Sequence, residues 1–276
     1  MRNKTGIEDV RNAEREWHDA FYQAHAECSY PNSAEDFHEI FVKGRITPFC
    51  EGGWSWWGDT AGELLEAVGD VRGMRVLDYG CGYGFLGMYL SLCGAHSWGF
   101  DFSRAAIETA KKAALRYGLE AQFAQMDASD LSYPDEFFDL VVGFGVLHHV
   151  IKYPGTASQL LRVMEPGAKA MFQETLGHNP FINFARRFTM VDDDAGDTLL
   201  REDDILTFGR EFSSVGIEQR HLIYMLKRLA KRPAAEWYAE LKPRPLWCAV
   251  KKLDNVVLRF SPLRRFCGEA IVTLTK

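Results

Sequence analysis

Residues 76–87 read VLDYGCGYGFLG, an apolar run that leads into four closely spaced glycines. A glycine-rich loop between a strand and a helix lets the backbone come close to a bound nucleotide. Read from Gly82, the loop satisfies the G-x-G-x-x-G pattern of dinucleotide-binding proteins, which allows NAD or FAD. The loop therefore predicts a nucleotide-type cofactor at the end of a strand, and the residues around it decide which one.

The segments around this loop alternate between strand-like and helix-like patterns. Five short apolar strands are predicted between residues 74 and 176, and two more at 216–225 and 268–276. This order predicts an α/β fold with a doubly wound, mostly parallel seven-stranded sheet and helices on both faces. Residues 1–70 read as helical and aromatic. Residues 71–276 hold the sheet together with two cap segments, at about 176–205 and 225–266.

Composition and charge exclude several classes of function. The chain has 276 residues and a net charge of −6, which argues against general nucleic-acid binding. Its first residues lack an apolar leader region and no stretch approaches the roughly 20 apolar residues of a membrane span, so a cytoplasmic location is predicted. The six cysteines form no C-x-x-C pair and the acidic run at 191–197 lacks calcium-loop spacing, so no metal site is expected.

One carboxylate distinguishes between the cofactors that such a loop can hold. Asp78 lies two residues before Gly80, where its charge would repel a pyrophosphate and suit a ligand with a cationic end. The string D-x-G-C-G-x-G resembles the first motif of the class I S-adenosylmethionine-dependent methyltransferases. The resemblance covers roughly residues 55–175. It implies that Asp78 supports the loop and the methionine end of the cofactor, while the backbone of Gly80, Cys81 and Gly82 approaches the cofactor.

Two further strand ends continue the resemblance. In GFDFS, Asp101 would bond both ribose hydroxyls, and Phe102 would lie beside the adenine. In QMDAS, Asp127 would accept from the adenine amine, and Ala128 would offer its backbone. Each pattern alone also suits a helix N-cap or an ordinary loop. Occurring together and in order, they predict S-adenosylmethionine as the cofactor of a Rossmann-like domain.

The fourth strand end and the N-terminal segment supply the remaining cofactor contacts that the resemblance implies. Gly143 and Phe144 in VVGFGVLHHV would lie beside the methionine portion. In similar enzymes the N-terminal helices fold over the cofactor as a lid, which suits water exclusion, and residues 1–70 are assigned that role. Tyr22 is the lid residue expected to contact the cofactor. Ordinary packing of the lid is the alternative for its aromatic side chains.

Three polar residues at strand ends are candidates for catalysis. His148 and His149 follow the fourth strand, where small-molecule enzymes of the family often carry a histidine. A histidine can take a hydroxyl proton near neutral pH, and His148 is the first choice for this general base. Glu174 closes the fifth strand and could bind an acceptor hydroxyl or amine. The alternatives are helix capping or packing for the histidines and a solvated strand end for Glu174.

These features predict an enzyme that transfers a methyl group to a small-molecule acceptor, with oxygen favoured and nitrogen or carbon left open. Two other functions use the same residues. One is an NAD-type oxidoreductase, against which Asp78 and Asp127 argue, and the other is a methyltransferase-like module that binds the cofactor without turnover. The sequence identifies neither the acceptor nor the oligomeric state.

The segment 225–266 interleaves apolar residues with many lysines and arginines. Such a pattern is typical of a helix at a membrane surface, which would suit a lipophilic acceptor and a weak membrane contact. It is equally typical of cations whose aliphatic stems cover a packed cap. Both interpretations stay open at the level of sequence.

Overall fold

The structure, a computed structural model, describes residues 6–24, 57–186, 200–229 and 245–276. Residues 25–56 of the predicted lid lie outside the described residues. The same holds for residues 187–199 and 230–244 of the two predicted cap segments.

Seven strands make up a single sheet. They are β1 (Arg75–Tyr79), β2 (His96–Asp101), β3 (Gln122–Gln125), β4 (Phe138–Phe144), β5 (Met164–Thr175), β6 (Ser214–Arg220) and β7 (Glu269–Thr275). Their order across the sheet is β3-β2-β1-β4-β5-β7-β6. All neighbouring pairs are parallel except those of β7, which runs antiparallel to β5 and β6. The predicted doubly wound, mostly parallel seven-stranded sheet is confirmed.

Helices connect these strands. The described α-helices are α1 (Ile7–Ala24), α2 (Trp57–Val68), α3 (Phe85–Leu92), α4 (Arg104–Arg116), α5 (Leu147–Val150), α6 (Thr156–Val163), α7 (Pro180–Arg186), α8 (Glu202–Phe208) and α9 (Pro245–Val257). Short 3₁₀ helices span Gly209–Glu211, Tyr224–Leu229 and Ser261–Phe266. Within the described part of the chain, no helix has both the length and the apolar character needed to cross a bilayer.

Hydrophobic side chains cover both faces of the sheet. On one face, Leu64 of α2 and Met88 of α3 belong to a buried cluster with residues of β1 and β4. On the other face, Leu160 of α6 packs with Phe172 of β5 and Val272 of β7. All five side chains are fully buried, and burying each contributes about 1.5–3 kcal/mol to folding. These two layers cover the faces of the sheet, and the ends of its strands remain available for a site.

Two strand boundaries differ from those predicted. The apolar stretch AKAMFQETL predicts the fifth strand over residues 168–176, but β5 begins at Met164, because Met164 already pairs with Phe138 of β4 across a register shift. β6 ends at Arg220 instead of continuing to residue 225. His221 adopts a φ of 60°, in the left-handed region that a strand cannot accommodate, and the chain turns there into a 3₁₀ helix.

The topology brings the candidate residues to one edge of the sheet. Asp78 lies near the end of β1, Asp101 ends β2, Phe144 ends β4 and Glu174 lies near the end of β5. Because these four strands are parallel, their carboxyl ends meet at the same edge, where ligands bind in open α/β sheets.

Candidate active site

The loop after β1 follows the path that its glycines allow. Gly80, Gly82 and Gly84 have φ values of 66°, 49° and 75°, in the left-handed region that favours glycine. A Cβ on Gly80 would lie 2.2 Å from Cγ2 of Val146, so any side chain there would clash. The glycines therefore let neighbouring side chains pack directly against the backbone of the loop at the carboxyl edge of the sheet.

Asp78 is a buried carboxylate behind this loop. Its Oδ2 accepts a hydrogen bond from the Gly87 N–H at 2.8 Å, which anchors α3. Burial and the nearby charge of Asp101 raise the pKa of Asp78 to about 7, although the hydrogen bond from the Gly87 N–H lowers it. Cys81 lies in the same pocket, where burial raises the pKa of its thiol well above the usual range. A cation bound here would favour the ionised form of Asp78.

Asp101 ends β2 and holds two backbone segments. Its Oδ2 accepts from the Gly82 N–H and its Oδ1 from the Ser103 N–H, both at 2.9 Å. Burial raises the pKa of Asp101, against the effect of these two bonds. The carboxylate thus fixes the glycine loop relative to the start of α4, and contact with the ribose hydroxyls stays a prediction. Phe102 follows it, with its ring 5.1 Å from that of His18.

Asp127 lies after β3 and faces cations from α1. Its Oδ1 accepts from the Ser129 N–H at 2.9 Å and from Ser129 Oγ at 2.7 Å. Its Oδ2 lies 3.5 Å from Arg15 and 3.7 Å from Arg11. Although burial opposes it, the Ser129 bonds and the two guanidinium groups lower the pKa of Asp127. The adjacent Ala128 is buried in the core, and the adenine contacts of both residues stay predictions.

Packing inside the protein accounts in part for the residue types at Gly143 and Phe144. A Cβ on Gly143 would lie 2.6 Å from the ring of Phe172, so β4 needs a glycine there to pack against β5. The Phe144 side chain belongs to the hydrophobic layer on the α2 and α3 face of the sheet. Their proximity to the methionine portion of a cofactor stays a prediction.

Helix α1 lies across the carboxyl edge of the sheet. A Cβ on Gly82 would lie 2.6 Å from Tyr22 Oη, which shows that Tyr22 touches the glycine loop. Burial raises the pKa of Tyr22 well above its usual range, so its hydroxyl stays protonated. Asp19 accepts a hydrogen bond from Ser103 Oγ at the start of α4. Helix α1 therefore contacts the residues that follow β1, β2 and β3.

On its other side, α1 contacts α5 and the residues that follow it. Glu14 is buried and accepts hydrogen bonds from Lys152 Nζ and Tyr153 Oη. The His18 ring lies 5.0 Å from the ring of His149. Among the described residues, the buried Nε atoms of Arg11 and Arg15 have no hydrogen-bond partner. The part of the site beside Asp127 therefore retains polar donors that a ligand could use.

His148 and Glu174 form a pair between β4 and β5. His148 Nδ1 lies 2.8 Å from Glu174 Oε2. The other oxygen, Oε1, accepts from the backbone N–H groups of Val146 and Leu147 at 2.9 and 2.6 Å. Because a carboxylate only accepts, Nδ1 carries the proton and Nε2 is left as the basic nitrogen of the ring. The rings of His148 and His149 lie 4.0 Å apart.

Two sets of residues at this edge are not among the site residues predicted from the sequence. The first is the polar face of α1, for which the spacing of Arg11, Arg15 and Asp19 at i, i+4 and i+8 was an available signal. The second is a buried network in which His221 Nδ1 lies 2.7 Å from Glu269 and Nε2 lies 3.1 Å from Glu63. No local pattern links these last three residues, because they lie far apart in the chain.

Comparison with known proteins identifies the kind of domain that carries this site. Residues 76–167 match the family model of the methyltransferase domain, a range that includes the glycine loop, Asp101, Asp127 and His148. The chain carries a class I S-adenosylmethionine-dependent methyltransferase domain. This decides between the two interpretations of the glycine string, and S-adenosylmethionine rather than NAD is the cofactor of the methyltransferase domain.

Sequence relatives of the methyltransferase domain act on different acceptors. The ubiquinone biosynthesis O-methyltransferase of Alkalilimnicola ehrlichii is 34% identical over 118 residues, which cover 42% of this chain and 47% of that protein. The demethylmenaquinone methyltransferase of Clavibacter sepedonicus is 35% identical over 110 residues, 40% of this chain and 44% of that protein. The chain thus spans about half the length of the relatives it matches.

Solved structures resemble the whole fold. The [4+2]-cyclase SpnF superposes with a TM-score of 0.59 at 19% identity, over 97% of this chain and 96% of that one. The Haemonchus contortus phosphoethanolamine N-methyltransferase 2, solved with S-adenosylhomocysteine, has a TM-score of 0.58 at 15% identity, over 95% of this chain and 59% of that one. At these identities the likeness shows the fold alone.

The residues at the edge of the methyltransferase domain fit S-adenosylmethionine. Asp78 and Asp101 are buried carboxylates beside a backbone loop that leaves no room for side chains at Gly80. S-adenosylmethionine carries an ammonium group, a sulfonium and two ribose hydroxyls, each of which a carboxylate can stabilise or accept from. A pyrophosphate would instead face two carboxyl groups that repel it when they are ionised. These carboxylate acceptors therefore suit a cationic adenosine cofactor.

Proposed function

We propose that this protein transfers the methyl group of S-adenosylmethionine to a hydroxyl oxygen of a small, lipophilic acceptor, with His148 as general base. The observation that carries the proposal is the 2.8 Å contact between His148 Nδ1 and the buried Glu174. The names of the relatives add support for the acceptor class, since ubiquinone and demethylmenaquinone are lipophilic ring compounds.

The proposed role of Glu174 is to orient His148. Its Oε1 is held by two backbone N–H groups at the start of α5, which fixes the carboxylate on a rigid part of the fold. Its Oε2 then holds the Nδ1 proton of His148, so that Nε2 can accept the proton of an acceptor hydroxyl. A histidine fixed in this tautomer is a competent general base near neutral pH.

The cofactor itself supplies an electrophilic methyl group on a positively charged sulfur, so the protein mainly has to bind, align and exclude water. Asp78, Asp101, Asp127 and the glycine loop are the residues proposed to hold the cofactor. Helix α1 covers the same edge through Tyr22 and could exclude water from it once the cofactor is bound.

The experiment that tests the proposal is a measurement of S-adenosylhomocysteine release with a panel of acceptors. The panel contains phenols, catechols and hydroquinones, together with the matched anilines and methyl ethers. The proposal predicts release with the hydroxyl compounds and none with the ethers. Release with the anilines alone would contradict oxygen transfer. Calorimetric binding of S-adenosylmethionine without release across the whole panel would favour a module without turnover.

A further inference from the structure

Helix α9 and the chain that follows it expose large apolar side chains. Leu246, Leu253, Val256 and Phe260 are 65%, 53%, 57% and 63% exposed. At 100° per residue, the three that lie within α9 fall on one side of the helix, away from the side that carries Asp254. An apolar stripe of this kind on a folded surface indicates an interaction site.

The charged residues around this stripe are of one sign. Residues 245–266 contain five lysines and arginines and a single acid, Asp254. Asp254 is fully buried, where it accepts from the N–H groups of Leu222 and Ile223. Lys251 is half-buried and pairs with Glu63. The exposed charged residues of this segment are therefore all cations: Lys252, Arg259, Arg264 and Arg265. The whole chain has a net charge of −6, so this local excess of positive charge fits an anionic partner.

These apolar residues and cations are defined here as the cap face, which consists of Leu246, Leu253, Val256, Phe260, Lys252, Arg259, Arg264 and Arg265. Hydrogen bonds connect the cap face to the segment that follows β5, the strand that carries Glu174. Asp254 of α9 binds the backbone at Leu222, and Asn179 binds the carbonyl of the same residue at 2.9 Å. Asn179 immediately precedes α7, which follows the strand that carries Glu174.

We propose that the cap face docks the protein on an anionic lipid surface. The inference rests on the proposed function, because a lipophilic acceptor would be taken from that surface. Exposed aliphatic and aromatic side chains would enter the interface between headgroups and acyl chains, while the flanking cations pair with anionic headgroups. A lipid surface suits the cap face better than a protein does, since the face carries no exposed acid of its own to pair with a partner's cations.

The test is flotation of the full chain with vesicles of phosphatidylcholine and phosphatidylglycerol at 3:1, and with phosphatidylcholine alone. We expect recovery with the anionic vesicles at 50 mM salt and loss of recovery at 500 mM salt. The double variant Arg264→Glu/Arg265→Glu should lower the partition coefficient by about thirtyfold or more, and Leu253→Gln/Val256→Gln should also lower it. The matched controls on α4, Lys111→Glu/Lys112→Glu and Leu115→Gln, should not change it.

Three results would overturn the proposal. They are the absence of flotation on anionic vesicles at low salt, flotation that both cap-face variants leave unchanged, and a dimer by light scattering that Leu253→Gln/Val256→Gln dissociates. The third result would assign the face to a second copy of the chain. Methyl transfer to the hydroxyl compounds of the acceptor panel, measured without vesicles, keeps the two proposals distinguishable. If no methyl transfer is detected in that assay while the protein still binds vesicles, the proposed function is overturned and the proposal that the cap face binds an anionic lipid surface stands.

Discussion

Two buried carboxylates at the edge of the sheet have different surroundings. Glu174 is held by two backbone N–H groups and by His148, so its hydrogen-bonding capacity is largely filled by the protein. Asp78 accepts one hydrogen bond from the described residues, that of the Gly87 N–H, and its pKa is raised to about 7 by burial. The first arrangement suits a residue that positions another side chain, and the second suits a residue that completes its bonding with a ligand.

Glu174→Gln should slow catalysis without affecting cofactor binding. The glutamine oxygen can still accept from the backbone, but its amide would donate to His148 Nδ1 and place the ring proton on Nε2. The base would then be blocked, and kcat should fall about 10²–10⁴-fold with the affinity for S-adenosylmethionine unchanged. Steady-state kinetics measure this, with Glu165→Gln at the opposite end of β5 as the control. A wild-type kcat in Glu174→Gln would contradict the positioning role.

Asp78 should make cofactor binding depend on pH. Because its pKa in the fold is about 7, above its usual 3.8, the carboxylate ionises between pH 6 and 8. Affinity for the cationic cofactor should therefore rise across that range and level off above it. In Asp78→Asn the affinity should be weaker by about 1–3 kcal/mol and lose this rise. Calorimetry at pH 6, 7 and 8 measures the affinity for S-adenosylmethionine in wild type and Asp78→Asn, with the substitution of the exposed Asp130, Asp130→Asn, as the control. An identical rise in Asp78→Asn would contradict the assignment.

At the scale of elements, α1 is held on the sheet edge by buried polar contacts in addition to the packing of Tyr22 against the hydrophobic layer below it. Its buried residue is Glu14, which lies between Lys152 and Tyr153. Glu14→Gln should loosen α1 and so speed dissociation of S-adenosylmethionine about five- to tenfold, since it weakens a charged buried contact. Stopped-flow fluorescence measures the rate, and Glu8→Gln on the exposed side of α1 is the control. An unchanged dissociation rate would show that α1 does not cover the bound cofactor.

A second inter-element contact joins α2 to the ends of β6 and β7. Burial lowers the pKa of His221, but the charges of Glu269 and Glu63 outweigh it and raise the pKa to about 9. Burial raises the pKa of Glu63, but the contacts with His221 and Lys251 outweigh it and lower the pKa to about 2. Because the folded pKa of His221 exceeds its usual 6.5, its contribution to stability is complete below pH 6.5 and is lost as pH rises through about 9.

His221→Gln should therefore destabilise the protein in a pH-dependent way. Removing the imidazolium takes a charged hydrogen-bond partner from each of two buried carboxylates, although Glu63 keeps its contacts with Lys251 and Arg220. The free energy of unfolding at pH 7 should therefore fall by about 1–3 kcal/mol. The difference from wild type should narrow between pH 7 and 10. Urea denaturation measures both values, with the exposed His96→Gln as the control. A difference that stays constant with pH would show that the imidazolium charge is not what stabilises the network.

At the scale of the whole molecule, the parts that local patterns encode were predictable. Apolar runs located the strands and the carboxylates at their ends, because burial on both faces leaves a local signal in each strand. The end of β6 was not predictable, since it depends on the φ of His221, which the distant residues Glu63 and Glu269 hold in place. His148 and Glu174 were each candidates, but their pairing depends on how β4 and β5 meet.

Methyl transfer to oxygen with His148 as the base is tested most directly with S-adenosylmethionine that carries a deuterated methyl group and with a hydroquinone acceptor. Mass spectrometry then locates the label in the product, and the rate is compared between wild type and His148→Ala. We expect a labelled methyl ether and a rate about 10²–10⁴-fold lower in His148→Ala, with unchanged cofactor affinity. A label on carbon, or a wild-type rate in His148→Ala, would contradict methyl transfer to oxygen with His148 as the base.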